Sequence, residues 1–261
     1  MMTKLLLVGE SWVSSANHFK GFDQFGSVTF HTGADRFVKG MAKAGIEVTY
    51  MKAHEAAESF PYTQEDLDAY DVLMLSDIGA NTLLLPPDVW LRGQRVPNRL
   101  KMIEGWVKAG GGLIMIGGYL TFQGIDGRGR WHRTPVERAL PVTCLPYDDR
   151  VEIPEGASPE VANAGHDLLS GVPSDWPYLL GVNELAPKEG ADVVLRLSEE
   201  YDSLPLLVTG THGAGRTVAW ASDMSEHWLP TPFLDWPGYD ILFANMVRWA
   251  ADAGSPTTSA P

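Results

Sequence analysis

One cysteine, Cys144, stands in 261 residues. A single thiol excludes an internal disulfide and any multi-cysteine metal centre, and fits a reducing compartment. Basic residues are scarce as well: 20 Lys and Arg against 33 Asp and Glu leave a net charge of −13. With no basic run either, neither nucleic acid nor an anionic membrane is an expected partner. No apolar run approaches the ~20 residues that span a bilayer. The N-terminal run Leu5 to Val8, behind one lysine, is too short for a signal peptide, so a cytoplasmic protein is expected. There is no internal repeat. The seven histidines include no His-x-His or His-Glu-x-x-His spacing, and His18, His31 and His54 form no ligand pattern, so no metal is expected. The glycine-rich turn 210–215 lacks the lysine and helix of a phosphate loop, and no cofactor is expected.

What is present has the balance of a globular core: 44% hydrophobic and 20% charged residues, with 27 glycines. The most telling stretch is Gly110-Gly111-Gly112-Leu113-Ile114-Met115-Ile116-Gly117-Gly118-Tyr119-Leu120-Thr121-Phe122. Leu-Ile-Met-Ile is too short for a buried helix and reads as a central strand covered on both faces. The glycines after it permit a tight strand-to-helix turn.

Upstream, Leu5 to Val8 reads as a first buried strand that ends in Gly9-Glu10-Ser11-Trp12. Residues 13–33 show no clean period and read as an ordered loop. A helix over Asp35 to Ala44 stops at Gly45, and strands follow at Ile46 to Met51 and Tyr70 to Leu75. Thr63 to Asp66 resembles a capping box, and Pro97 to Ala109 reads as a helix. Alternating strands and helices over the first half argue for a doubly wound, mainly parallel α/β sheet. Residues 141–192, rich in proline and glycine, read as an elaboration on that core. Val193 to Leu197, and a hairpin of Leu204 to Thr209 with Thr217 to Ala221, add an antiparallel edge. A helix over Tyr239 to Ala251 closes a single domain, residues 1–253, and residues 254–261 read as a disordered tail.

The strand exit Gly117-Gly118-Tyr119, the Gly215-Arg216-Thr217-Val218 strand, the Asp223 to Trp228 segment and the piece from Gly127 to Pro141 together resemble the class I glutamine amidotransferase-like superfamily. They are most similar to its cytoplasmic branch labelled "putative glutamine amidotransferase", and more distantly to trehalose-utilisation proteins. The resemblance implies a flavodoxin-like sheet with a nucleophile elbow after the fourth strand. In true class I amidotransferases that elbow carries cysteine, completed by a later histidine and acid. Tyr119 takes the matching position here, and Cys144 lies outside any elbow, so glutamine hydrolysis through a thiolate is not expected.

In open α/β sheets, ligands bind beyond the carboxyl ends of the strands. Glu10, Asp77, Tyr119, Asp223 and His227 all fall there. Tyr119, His227 and Asp223 are the candidate catalytic residues, with His227 as acid or base and Asp223 orienting it. Glu10, Ser11, Asp77, Gly79, Thr121, Arg128, Arg130 and His132 are candidate substrate contacts, the last three on a polar loop able to clamp an anion. Backbone N–H groups near Gly79 and Leu120 offer an oxyanion-type site, as the resemblance suggests. Two functions fit: a non-thiol hydrolase or lyase acting on a small polar metabolite such as a sugar derivative or amide, or a catalytically silent binding or assembly protein. A small-molecule ligand is expected in either case, and a homo-oligomer is compatible with the exposed aromatic loops.

Overall fold

The computed structural model describes residues 2–252. The stretch 254–261, read above as a disordered tail, lies outside them. In chain order the strands are β1 (Lys4–Gly9), β2 (Ser11–Lys20), β3 (Asp23–Thr32), β4 (Glu47–Met51), β5 (Val72–Ser76), β6 (Gly112–Ile116) and β7 (Val142–Cys144). They continue with β8 (Arg150–Ala157), β9 (Glu160–Val161), β10 (Leu179–Asn183), β11 (Leu185–Pro187), β12 (Asp192–Arg196), β13 (Pro205–His212) and β14 (Gly215–Trp220).

Eight of these strands form the main sheet, in the order β4-β1-β5-β6-β14-β13-β12-β9. The first five run parallel, and β13, β12 and β9 follow as an antiparallel edge. Counting only the parallel strands, the order is 2-1-3-4-5, that of the flavodoxin-like doubly wound fold. The central strands earn their place by composition. Leu5 to Val8, all of β5 and all of β6 are buried, as continuous apolar runs covered on both faces must be.

Two groups of helices cover the sheet. The helix Asp35–Lys43 packs against Pro237–Ala251, with Phe37 edge-on to Phe243. The second group includes Arg99–Ala109, which starts not at Pro97 but behind Asn98, whose side chain accepts the Leu100 and Lys101 N–H groups. Thr63 accepts the Asp66 N–H at 3.2 Å and caps Gln64–Leu67.

Three expectations change. Residues 13–33 are not a loop: β2 and β3 pair as an antiparallel hairpin, in register from Ser11↔Thr32 to Lys20↔Asp23. The hairpin has solvent on both faces, so no apolar alternation marked it in the sequence. Second, no helix follows the Gly117-Gly118-Tyr119 exit. Residues 118–123 bend and enter a short 3-10 turn, Ile125–Gly127. Third, the elaboration at 141–192 is built of two small antiparallel pairs, β7 with β11 and β8 with β10, the second of which reaches the carboxyl end of β6 through Asn183 and Glu152.

Candidate active site

The parallel order reverses direction between β1 and β5, and this switch point is where doubly wound sheets open a crevice. Glu10 leaves β1 there and Asp77 leaves β5. Both hold positive φ, +46° and +43°, a strained conformation for residues other than glycine that clusters at functional sites. A pocket of about 330 Å³ opens between them, lined by Glu10, Trp12, Asp77, Tyr119, Asp223, Ser225, Glu226 and His227.

Glu10 is 2% exposed. Its carboxylate accepts the Ser76 hydroxyl at 2.6 Å on one oxygen and the Ser225 hydroxyl at 2.7 Å on the other. Burial, and secondarily the nearby Asp77 carboxylate, raise its pKa to about 7 in spite of these two donors. Gly33 makes room for this arrangement, because a β-carbon there would stand 2.4 Å from Glu10 Oε1 and 2.8 Å from Ser225 Oγ. Asp77 accepts the Leu120 N–H at 2.8 Å, and burial holds its pKa above the ordinary value. Asp223 is raised well above it, first by burial and then by Glu10 and Asp77. Three carboxyl groups thus line one pocket, each holding its proton more readily than a solvated carboxyl would.

Of the candidate catalytic residues, Tyr119, His227 and Asp223 all reach this pocket. Their roles differ from the expected relay. Asp223 Oδ1 accepts the N–H groups of Met224 (2.7 Å) and Ser225 (3.3 Å). It fixes its own turn, and no hydrogen bond among the described residues joins it to His227. His227, at φ +122°, sets its ring edge-to-face with Tyr119 at 4.4 Å and stacks on Trp228. The Tyr119 hydroxyl donates to Glu152 Oε1 at 3.0 Å, and Arg150 lies over its ring at 4.6 Å. Burial and the Glu152 carboxylate push the Tyr119 phenol up, so it is a neutral donor here.

The candidate substrate contacts divide. Glu10 and Asp77 line the pocket, and the other six lie outside its lining. Ser11 Oγ accepts the Ala53 N–H at 2.9 Å, at the start of the helix Ala53–Ser59. Gly79 sits under the carbonyls of Arg128 and Gly129, and Thr121 is fully buried. Arg128 is exposed and pairs with Asp126 at 3.3 Å; Arg130 is exposed too. His132 Nδ1 meets the Cys144 carbonyl at 2.8 Å. The loop carrying these three is pinned by Trp131, fully buried, whose indole donates to the Ile78 carbonyl at 2.9 Å. Nor is the elbow a free oxyanion site. The Leu120 N–H is taken by Asp77, and the Gly118 N–H donates to Asn183 Oδ1 at 2.9 Å.

Several residues that shape the site carried no signal in the sequence. Asn183, fully buried, holds the elbow by accepting from the Gly118 N–H while donating to the Gly118 carbonyl and to Asp149. Asp149 in turn accepts the Gln123 and Gly124 N–H groups at 2.8 and 2.7 Å. Glu152 gathers Tyr119 and the Trp228 indole N–H. All three come from the proline-rich middle region, which is joined to the elbow only in the fold. Ser225 had a faint signal in its place beside Asp223.

Cys144 is 1% exposed, lies outside the pocket lining, and its thiol is pushed well up by burial and the adjacent Glu137. A thiolate nucleophile needs the opposite environment. Among the described residues no three His, Cys, Asp or Glu side chains are arranged to hold a metal ion.

Fold and site together define a doubly wound α/β protein whose parallel strands end at a carboxylate-lined pocket. The chain belongs to the family described as "Putative glutamine amidotransferase", which matches residues 4–252. Among solved structures it is similar to the cytoplasmic protein STM3548 of Salmonella typhimurium, at 39% identity and a TM-score of 0.91, over 96% of this chain and 99% of that one. It is similar also to the cytoplasmic protein STM1381 of Salmonella typhimurium LT2, at 39% identity and a TM-score of 0.89, over 95% and 99%. A ThuA-like protein of Bacteroides uniformis shares the fold, at 14% identity and a TM-score of 0.57, over 95% and 91%. No curated protein matches the chain. No helix among the described residues is long and apolar enough to cross a membrane.

Proposed function

We propose that this protein is a non-thiol acid/base enzyme, a hydrolase or lyase, acting on a small polar metabolite such as a sugar derivative or amide. One observation carries the reading: a buried Glu10 carboxyl faces a pocket large enough for a small ligand, with its pKa near neutrality. A general acid or base works best when its pKa lies near the operating pH. Glu10 would hold or release the transferred proton, while Ser76 and Ser225 keep its two oxygens in place. Asp77 and Asp223 would hold substrate hydroxyl or amine groups, and His227, at the open side, would exchange protons with solvent. Trp12 and Tyr119 supply aromatic walls suited to a sugar ring. The net charge of −13 supports a free small molecule, not nucleic acid or a membrane surface, as the ligand. The two Salmonella relatives described as cytoplasmic proteins support a cytoplasmic location.

A second reading, a silent ligand-binding protein, is favoured by the elbow itself: its N–H groups and the Tyr119 hydroxyl are all engaged by the protein's own acceptors. A metabolite panel of amides, glycosides and sugar acids separates the two, followed for product by mass spectrometry with wild type and Glu10→Gln. Product formed by wild type and lost in Glu10→Gln supports the enzyme. A compound that stabilises both proteins and is never converted supports the binding protein and overturns the enzyme.

A further inference from the structure

Every residue from Trp12 to Phe30 is exposed, yet this segment is the fully paired β2–β3 hairpin. At ~3.3 Å per residue its ten-residue strands extend roughly 30 Å, and an isolated two-stranded ribbon is at best marginally stable in water. The register sorts its side chains into two faces. One carries Val13, Phe19, Val28 and Phe30, exposed by 59, 71, 73 and 45%, with Val13 directly opposite Phe30. The other carries two stacked pairs, Trp12 on His31 at 5.2 Å and His18 on Phe25 at 4.6 Å. Phe22, in the turn, is wholly exposed.

At the ~150–250 Å² that an aromatic side chain presents, the exposed hydrophobic residues on both faces of the arm and in its turn together offer on the order of 800 Å². That is the area each partner contributes to a stable interface of standard size, and more than a monomer usually leaves wet. Charge points the same way. The chain as a whole carries −13, but the arm has only Lys20 and Asp23, facing each other in the register, and is neutral. Two acidic bodies can therefore meet at this arm without the repulsion they would feel elsewhere.

We infer that the β2–β3 hairpin is a dimerisation arm and that a second copy of this chain covers its exposed apolar side chains on both faces, with Val13, Phe19, Val28 and Phe30 on one and Phe25 on the other. The arm has no run of like charge that would select a charged partner. It is present once on every chain, so a partner of equal abundance is always at hand in the form of the chain itself. A two-fold contact makes the arrangement reciprocal, each copy offering and receiving the same surface. The arm also belongs to the site: Trp12, at its root, lines the pocket, and Phe30 sets its ring edge-on to His54 of the body.

Sedimentation velocity and light scattering of the full chain across a micromolar dilution series test this, with Phe19→Asp/Val28→Asp beside wild type. A second variant replaces residues 13–30 with a short Gly-Ser turn. The expected result is a wild-type dimer and variants that are monomeric yet still unfold cooperatively, because every residue from Trp12 to Phe30 is exposed and none belongs to the main core. A wild type that is monomeric throughout overturns the inference, including the case in which a different protein occupies the arm. So does a dimer that survives both variants, since its interface would lie elsewhere.

Discussion

The Ser225 hydroxyl donates to Glu10 Oε1 at 2.7 Å, across a separation of 215 residues, tying the exit of the first strand to the turn that follows the last. With Ser76 on the other oxygen, it leaves Glu10 satisfied but almost wholly desolvated at the pocket wall. Desolvation then outweighs the two hydrogen bonds and sets the protonation behaviour of the pocket.

Stability should therefore fall as pH rises from about 5 to 8. Glu10 titrates near 7 when folded against 4.5 ordinarily, so it binds its proton more readily in the folded state. That advantage is complete below pH 4.5 and is lost through 7, a change on the order of 3 kcal/mol. Asp223, also raised, acts in the same direction. Glu10→Gln should flatten this slope and exceed wild type in Tm at pH 8, as measured by calorimetry across the range. A wild-type Tm that is level between pH 5 and 8 would count against a buried, titrating Glu10.

Gly33→Ala should disturb the same carboxylate from outside. Its β-carbon meets Glu10 Oε1 and Ser225 Oγ inside contact distance, and overpacking of this kind costs roughly 1–3 kcal/mol. Denaturant unfolding reads the loss. The pH slope of the variant should also be shallower, because the displaced carboxylate regains water.

Asn183→Ala should be the costlier change although it lies outside the pocket lining. It strips the Gly118 N–H, the Gly118 carbonyl and Asp149 of partners inside a fully buried site, an expected loss of roughly 3 kcal/mol. Chemical denaturation measures it directly.

Tyr119→Phe should leave the fold intact. Its hydroxyl meets an exposed carboxylate, so the stability cost is about 1 kcal/mol or less. If the enzyme reading holds, the variant keeps a pH–rate profile governed by Glu10 and changes mainly KM, through a looser pocket wall. A complete loss of kcat would instead make the phenol the proton donor.

Cys144 should be unreactive. Iodoacetamide at pH 8 is expected to label it only after unfolding, as read by intact mass, because the thiol is both buried and raised.

The sequence by itself determined the layered core. Leu5 to Val8, Val72 to Leu75 and Leu113 to Ile116 are continuous apolar runs, and such runs stay dry only as central parallel strands. Their spacing, with glycines at the exits, fixed where Glu10, Asp77 and Tyr119 emerge, and the family resemblance implied that the elbow cysteine is missing. Only the tertiary structure decided what those residues can do. A carboxyl pKa depends on how much water is excluded and on which donors arrive, and Ser76, Ser225 and Gly33 come to Glu10 from three other parts of the chain. Asp223 lies only four residues from His227 yet bonds its own turn, because side-chain direction follows backbone angles that spacing does not encode. The elbow's supports, Asn183, Asp149 and Glu152, sit in a segment of short strands whose pairing is long-range. The arm from β2 to β3 escaped notice for the opposite reason: with both faces open to solvent, no buried side imposed a pattern on its residues.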